Sequence, residues 1–362
     1  MQSITALLFV AFCIFIITRS LVVQKSWQQW KKQASSGLGF TKSTSTVSSS
    51  THKETLLKDT PPYIFPPIRP RTALRTSMGL RRLEVSNWLT IDKNYNPEHG
   101  LRVNLLSSHK PQVIQCLPGS EEACHEVLSL VVDFLTSRFP QHFTVTNTSE
   151  GRRIYNSLTN ETFVIGQACP NPLEVAARLA MEDFTVLMKD ANTGEYRLQA
   201  SATLFPAGWK LQERIGMSMA KLHGPVPKWK EQLSGHVNRY FDHLTAKSSM
   251  ERTNLFIQTT PDLFVDGPEM PRSPSEAAIT PSDLWVRRER QIFRRLERCG
   301  AVLFTVRTYM QRLVEVEGAQ VEALKTQVEG WDEDIMDYKG SKIWGETFRE
   351  WCAQRGLGVE GA

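Results

Sequence analysis

The sequence has no Cys-x-x-Cys pair, so neither a zinc ribbon nor a ferredoxin-type iron–sulfur site is written in it. No Gly-x-Gly-x-x-Gly or Walker-type loop is present to cradle a phosphate, and no Gly-x-Ser-x-Gly elbow presents a serine nucleophile. His-Glu-x-x-His is absent, and no 2-His-1-carboxylate pattern stands out. The net charge of +5 is mild and the basic residues are spread along the chain, which gives no footprint for nucleic acid. Six cysteines (Cys13, Cys116, Cys124, Cys169, Cys299 and Cys352) leave the redox compartment open.

The 362 residues are 41% hydrophobic, enough for one large or two modest domains. The chain opens on an apolar run, Ile4 to Thr18, continued by Leu21-Val22-Val23. With no Lys or Arg before it and Arg19, Lys25, Lys31 and Lys32 behind it, residues 1–23 read as a membrane anchor with a cytosolic body, for instance at the endoplasmic reticulum. Residues 24–60 read as a tether, basic and Trp-containing at first. From Thr41 to Thr51, nine of eleven residues are Ser or Thr, too few apolar groups to build a core. The folded body is expected over 61–328, with 329–362 as a C-terminal extension.

Within the body, Ser120 precedes a helix with Glu121 and Glu122 in its first turn and an apolar face through Val127, Val131 and Leu135. Asn171-Pro172 opens a second helix. Tyr196, Leu198, Ala200, Ala202 and Leu204 alternate with more polar residues and predict a strand with one buried face. Trp209 to His223 is expected to be a helix stopped by Pro225 and Pro227, followed by another over Trp229 to Leu244. Asp283 to Arg298 is expected to be a strongly charged helix, Ala301 to Tyr309 a strand, and Met310 to Val328 a return to helical spacing. Without a regular βαβ rhythm, the fold class is α+β.

His223 is the first candidate for chemistry. A histidine held on a stiff Pro-x-Pro exit is one whose ring can be aimed, and a haem iron often takes a single proximal His; the plainer alternative is a helix-terminal His at a structural turn. His236 and His243 read as surface residues. Glu182 and Asp183 sit in an otherwise apolar stretch read as a helix, where acids are costly to bury. They either face solvent or orient an arginine, a cationic substrate or a helix. In Arg287-Arg288-Glu289-Arg290-Gln291, helical spacing puts Arg287, Arg290 and Arg294 on one face, suited to carboxylates such as haem propionates or simply to solvent. Arg252 gives a similar, weaker signal.

These segments together resemble the haem-binding α subunit of haem-dependent oxidative N-demethylase (dimethylamine monooxygenase), in a fungal form of HRQ type. The resemblance rests on Met78-Gly79-Leu80-Arg81-Arg82-Leu83, Trp88-Leu89-Thr90-Ile91-Asp92, Glu182-Asp183, Phe205-Pro206-Ala207-Gly208-Trp209 and His223-Gly224-Pro225-Val226-Pro227. Arg252-Thr253-Asn254, Arg287 to Gln291 and Phe304 to Tyr309 follow in the same order, so that it covers roughly 63 to 325. It implies a PAS-like antiparallel sheet with helices packed around a b-type haem, His223 as proximal ligand and metal-binding residue, and Arg252, Arg287, Arg290 and Gln291 as cofactor-binding candidates. It also implies Glu182 and Asp183 as an acidic, catalytic pair, oxygen-dependent removal of an N-methyl group from a small methylated amine, formaldehyde as product, and a separate reductase as partner. The chain departs from the pattern in its leader and in Leu296-Glu297-Arg298-Cys299.

Two other readings compete. An anchor, a Ser/Thr-rich stem, Asp332-Glu333-Asp334 and the acceptors Asn147-Thr148-Ser149 and Asn160-Glu161-Thr162 mimic a type II secretory-pathway glycosyltransferase. A non-catalytic haem-binding sensor is the third.

Overall fold

A computed structural model of the chain describes residues 78–149, 151–273 and 277–356, together with Leu57 and Tyr63. The expected anchor over 1–23 and almost all of the tether lie outside the described residues. Among the described residues, no helix is long and apolar enough to cross a membrane.

Among the described residues, ten strands form two sheets. The larger is antiparallel throughout and seven-stranded. It is built from β1 (Arg81–Arg82), β8 (Met250–Gln258), β9 (Trp285–Arg295), β10 (Val302–Arg312), β6 (Asp183–Lys189), β7 (Tyr196–Ala202) and β2 (Ile114–Cys116), in that spatial order. The smaller joins β3 (Phe143–Thr148), β4 (Gly151–Asn156) and β5 (Glu161–Val164). The helices are α1 (Tyr95–Ser108), α2 (Lys110–Val113), α3 (Glu121–Arg138), α4 (Pro172–Leu179), α5 (Leu211–Arg214), α6 (Met219–Leu222) and α7 (Ser234–His243), with α8 (Ala319–Glu329), α9 (Glu333–Tyr338) and α10 (Ser341–Ala353) closing the chain. The α+β class therefore holds.

Side chains alternate across the large sheet, and the two faces bury different cores. On the back, Phe184, Val186, Ala200, Ala202, Ile292 and Leu303 pack against Val127, Val131 and Leu135 of α3 and Leu173, Ala176 and Leu179 of α4. These are the apolar faces expected from the sequence. On the front, Leu187, Tyr196, Leu198, Phe293 and Val302 pack against Leu211, Met219, Trp229, Leu233, Val237 and Phe241. A third cluster joins Leu255, Ile257 and Val286 to Leu324, Trp344, Phe348 and Trp351. The segment read as a C-terminal extension thus shares a core with β8 and β9.

Four expected elements differ. Asp283 to Arg298 is not a helix: residues 285–295 form the interior strand β9, bonded along its length to β8 and β10. Its arginines find buried carboxylates and carbonyls on neighbouring elements, which lets a charged sequence occupy a sheet interior. Trp209 to His223 is two short helices, because Gly216 (φ +78°) breaks the run. Glu182 and Asp183 lie past the C-terminus of α4, where the chain enters β6. Residues 310–312 extend β10, so helical structure resumes only at Ala319.

Candidate functional site on the front of the sheet

His223 closes the single turn α6, and the following residues are held by successive turns. Its own N–H donates to Met219 O at 3.2 Å, Val226 N to His223 O at 2.9 Å and Trp229 N to Val226 O at 3.2 Å. Pro225 and Pro227 stiffen this path. Lys228 then adopts φ +57°, a left-handed conformation unusual for a residue with a Cβ. Its ammonium is held by Asp332 at 2.5 Å, so the costly turn is tied down by a distant helix. The turn brings the Trp229 ring back over the imidazole, stacked at 4.0 Å between centroids and 13° between planes.

The imidazole is oriented at both ends. Nδ1 lies 3.1 Å from Met219 O. A carbonyl only accepts, so Nδ1 carries the proton and Nε2 keeps its lone pair. Burial, and to a lesser degree the charges of Arg214 and Arg252, push the pKa down to about 4 against the Met219 hydrogen bond. His223 is therefore a neutral imidazole at pH 7 with a free lone pair on a fixed ring, the state required of a metal ligand. By contrast, His236 and His243 are exposed, and His243 Nδ1 is bonded to Arg239 O.

The register divides the sequence-predicted arginines between the two faces. Period-2 geometry separates Arg287 from Arg290, contrary to the shared helical face expected from the sequence. Gln291 and Arg252 are register partners on β9 and β8 and lie on the front with His223. Arg287 is on the same face but fully buried, spent on Glu289 at 3.3 Å, Leu263 O at 3.1 Å and the Phe205 carbonyl. Arg290 is on the back, 2.7 Å from Glu251 and bonded to the Asn87 carbonyl, with its guanidinium 4.1 Å from the Tyr63 ring centroid.

The acidic pair is also removed from His223. Glu182 is fully buried on the back and accepts from Thr90 N at 3.1 Å and Thr90 Oγ1 at 3.3 Å. Its other oxygen, Oε2, has no hydrogen-bond partner among the described residues, and burial pushes its pKa up to about 7 despite Arg307, Arg290 and Arg102. Asp183 pairs with Arg102 at 3.0 Å and accepts from Phe205 N at 2.9 Å. Both acids belong to a buried network in which Arg307 reaches Glu98 at 2.8 Å and Asp92 at 3.1 Å.

Several residues near the front site carry no signal in the sequence. Glu289 accepts from Gln291 at 2.9 Å and Asn254 at 3.4 Å. Lys339, between α9 and α10, donates to Asn254 Oδ1 at 3.1 Å and Leu255 O at 2.6 Å, and lies over the Phe256 and Trp331 rings. Burial pushes its pKa down to about 7. Only Trp229, six residues beyond His223, was detectable in principle, as an aromatic next to a rigid turn. A separate depression of about 350 Å³, lined by Asn94, Pro97, Glu98, Leu101, Pro261, Leu263 and Met310, contains none of the predicted site residues.

The Asp332-Glu333-Asp334 triplet is engaged structurally. Asp332 accepts from Ile335 N at 3.0 Å, capping α9, and both aspartates face Lys228. Among the described residues, no group of three or more His, Cys, Asp or Glu side chains is arranged to hold a metal ion.

The model of the family described as haem-dependent oxidative N-demethylase, alpha subunit-like, matches residues 79–349. That span takes in both faces of the large sheet, His223 and Lys339. It suggests haem-dependent oxidoreductase chemistry of the N-demethylase kind. The chain belongs to the haem-dependent oxidative N-demethylase α-subunit-like family.

Proposed function

We propose that the front of the large sheet, in a PAS-like arrangement, holds a b-type haem with His223 Nε2 as the proximal ligand, and that the protein oxidatively removes a methyl group from a small methylated amine, releasing formaldehyde. The observation that carries this reading is the state of His223: neutral, proton on Nδ1, ring clamped by Met219 O and Trp229. The residues present fit such a group. Half-buried Trp209, Leu222, Val226 and Phe304 pack against the front core and supply the apolar surface a porphyrin face needs. Arg252 and Gln291 lie on the same face and suit the carboxylates of the propionates.

The haem, when bound, supplies the oxygen activation that no side chain provides. The residues around it have positional tasks. Met219 O draws on the Nδ1 proton and raises the basicity of Nε2, while Trp229 prevents ring rotation. Arg287, held by Glu289 and two carbonyls, stiffens the strand that carries Gln291. Glu182 on the back is bound to Thr90, and Asp183, the first residue of β6, to Arg102 and Phe205 N, so we assign them structural support rather than contact with substrate. With no nucleotide-binding loop in the sequence, electrons come from a separate reductase.

Absorption spectroscopy of the purified protein tests the reading. A Soret band at stoichiometric haem is expected; His223→Ala removes or strongly shifts it, and His236→Ala and His243→Ala leave it in place. A folded protein that takes up no haem would sink the proposal. With a reductase, dioxygen and a secondary or tertiary methylamine, formaldehyde is expected. Full haem loading with no amine-dependent spectral change or formaldehyde would replace catalysis by sensing.

A further inference from the structure

We propose that Cys116 and Cys124 form a reversible oxidation site, in which the exposed Cys116 thiol reacts with a hydroperoxide and the buried Cys124 resolves the product to a disulfide. The two sulfurs are 3.8 Å apart. Cys116 ends β2, the edge strand of the large sheet, and is exposed, whereas Cys124 is buried in the first turns of α3. The turn between them, Leu117 to Ser120, is tight: Leu117 N bonds to Gln199 O, Ser120 N and Oγ both bond to Leu117 O, and Gly119 takes φ +88°. The turn thus holds an accessible thiol against a protected one.

This asymmetry is what an attacking and a resolving cysteine require. The Cys124 thiol donates toward Cys116, and that hydrogen bond draws the Cys116 pKa down against burial and the Glu121 charge. The helix N-terminus lies beside the pair and also favours negative charge. By contrast, Cys169 and Cys352 are buried, Cys299 is half-buried, and burial raises the pKa of all three.

The chemistry closes without a cofactor. The Cys116 thiolate attacks one oxygen of hydrogen peroxide, the O–O bond breaks, a sulfenic acid forms, and the departing hydroxide takes a proton to become water. Cys124 sulfur then attacks the sulfenic sulfur, the S–O bond breaks, and a second water leaves. Two thiols and one peroxide yield one disulfide and two waters. The sulfurs must close to about 2.05 Å, a movement shared by an edge strand and a first helical turn.

The full chain, treated with a small excess of hydrogen peroxide and digested with trypsin, gives the test. Val103 to Arg138 is one tryptic peptide, because Lys110 precedes Pro111, and it holds Cys116 and Cys124 alone among the cysteines. The expected result is loss of two hydrogens from this peptide, reversed by dithiothreitol. Glutamyl cleavage after Glu121 or Glu122 should then leave the two halves linked. In Cys124→Ser, Cys116 should instead be trapped by dimedone as the sulfenic acid, and Cys116→Ser should leave Cys124 reduced. Oxygen addition to wild-type Cys116 without linkage, equal reaction of all cysteines, or no reaction at Cys116 would each overturn the proposal. Circular dichroism of the two serine variants checks that they remain folded.

Discussion

On the back of the large sheet, Arg307 sits between Glu98 and Asp92 and Arg290 faces Glu251, all at or near complete burial. On the front, Arg252 and Gln291 lie beside a neutral histidine whose Nε2 has no hydrogen-bond partner among the described residues. The same strands carry both sets, with alternate residues of β9 and β10 turned to each side. The back uses charge to fix strands to α1 and to the segment before it, since Arg307 is matched there by Asp92 and Glu98. The front presents His223 with a lone pair on Nε2. One sheet thus carries the Arg307 network on one side and the histidine on the other.

Breaking the back should cost the most. Arg307→Ala leaves Asp92 and Glu98 buried without their cation, and removing one partner of such a set costs about 3–5 kcal/mol. Urea unfolding should show that loss as a lower midpoint with an unchanged slope. A loss below about 1 kcal/mol would mean that the network is solvated and the contrast between the faces is weaker than the burial implies.

Next in size is a pair of substitutions that should separate the faces. Arg290→Ala removes one of the two arginines on Glu251, leaving Arg81 at 2.9 Å, and is expected to cost about 1–3 kcal/mol of stability, with haem affinity unchanged in the folded fraction. Arg252→Ala is expected to lower haem affinity about tenfold, as for one charge-assisted hydrogen bond, with stability changed by less than about 1 kcal/mol. Haem titration followed by Soret absorbance, alongside thermal melting, reads both. If Arg290→Ala weakens haem binding as much as Arg252→Ala, parity does not divide the two functions.

How legible this was in the sequence depended on how each element is stabilised. The alternation from Tyr196 to Leu204 and the β-rich Ala301 to Tyr309 announced β7 and β10, because apolar burial sets their period. Pro172 after Asn171 announced α4. The turn beyond His223 was legible for the same local reason, as proline restricts the backbone without help from elsewhere. β9 was not legible. Its arginines repeat at spacings that fit a helix face, and only the carboxylates of Glu251 and Glu289 and the carbonyls of Asn87, Phe205 and Leu263 make a strand affordable there. All of those partners except Glu289 come from other elements, so no window of sequence contains the set. Lys339 was hidden likewise, since its place beside Asn254 follows from the packing of Trp344 and Phe348 more than eighty residues away.

The smallest predicted effect tests the back face through its proton balance. Glu182 has a folded-state pKa raised from 4.5 to about 7, chiefly by burial. The folded protein therefore holds this proton more tightly than the unfolded chain does. The resulting stability is fully present below about 4.5 and is lost as the pH rises through about 7. Glu182→Gln is neutral at every pH and has no such loss. The melting temperature of the variant minus that of the wild type should thus rise between these two pH values, by about 2–4 °C for each kcal/mol involved. The absolute offset depends on how the Gln amide fits the Thr90 N–H and hydroxyl, but the direction of the slope does not. A difference that falls with pH would mean that Glu182 is ionised and well paired with Arg307 in the fold. The carboxylate would then be a fixed anion available to a cationic ligand, and the acidic pair would return to consideration as a binding group.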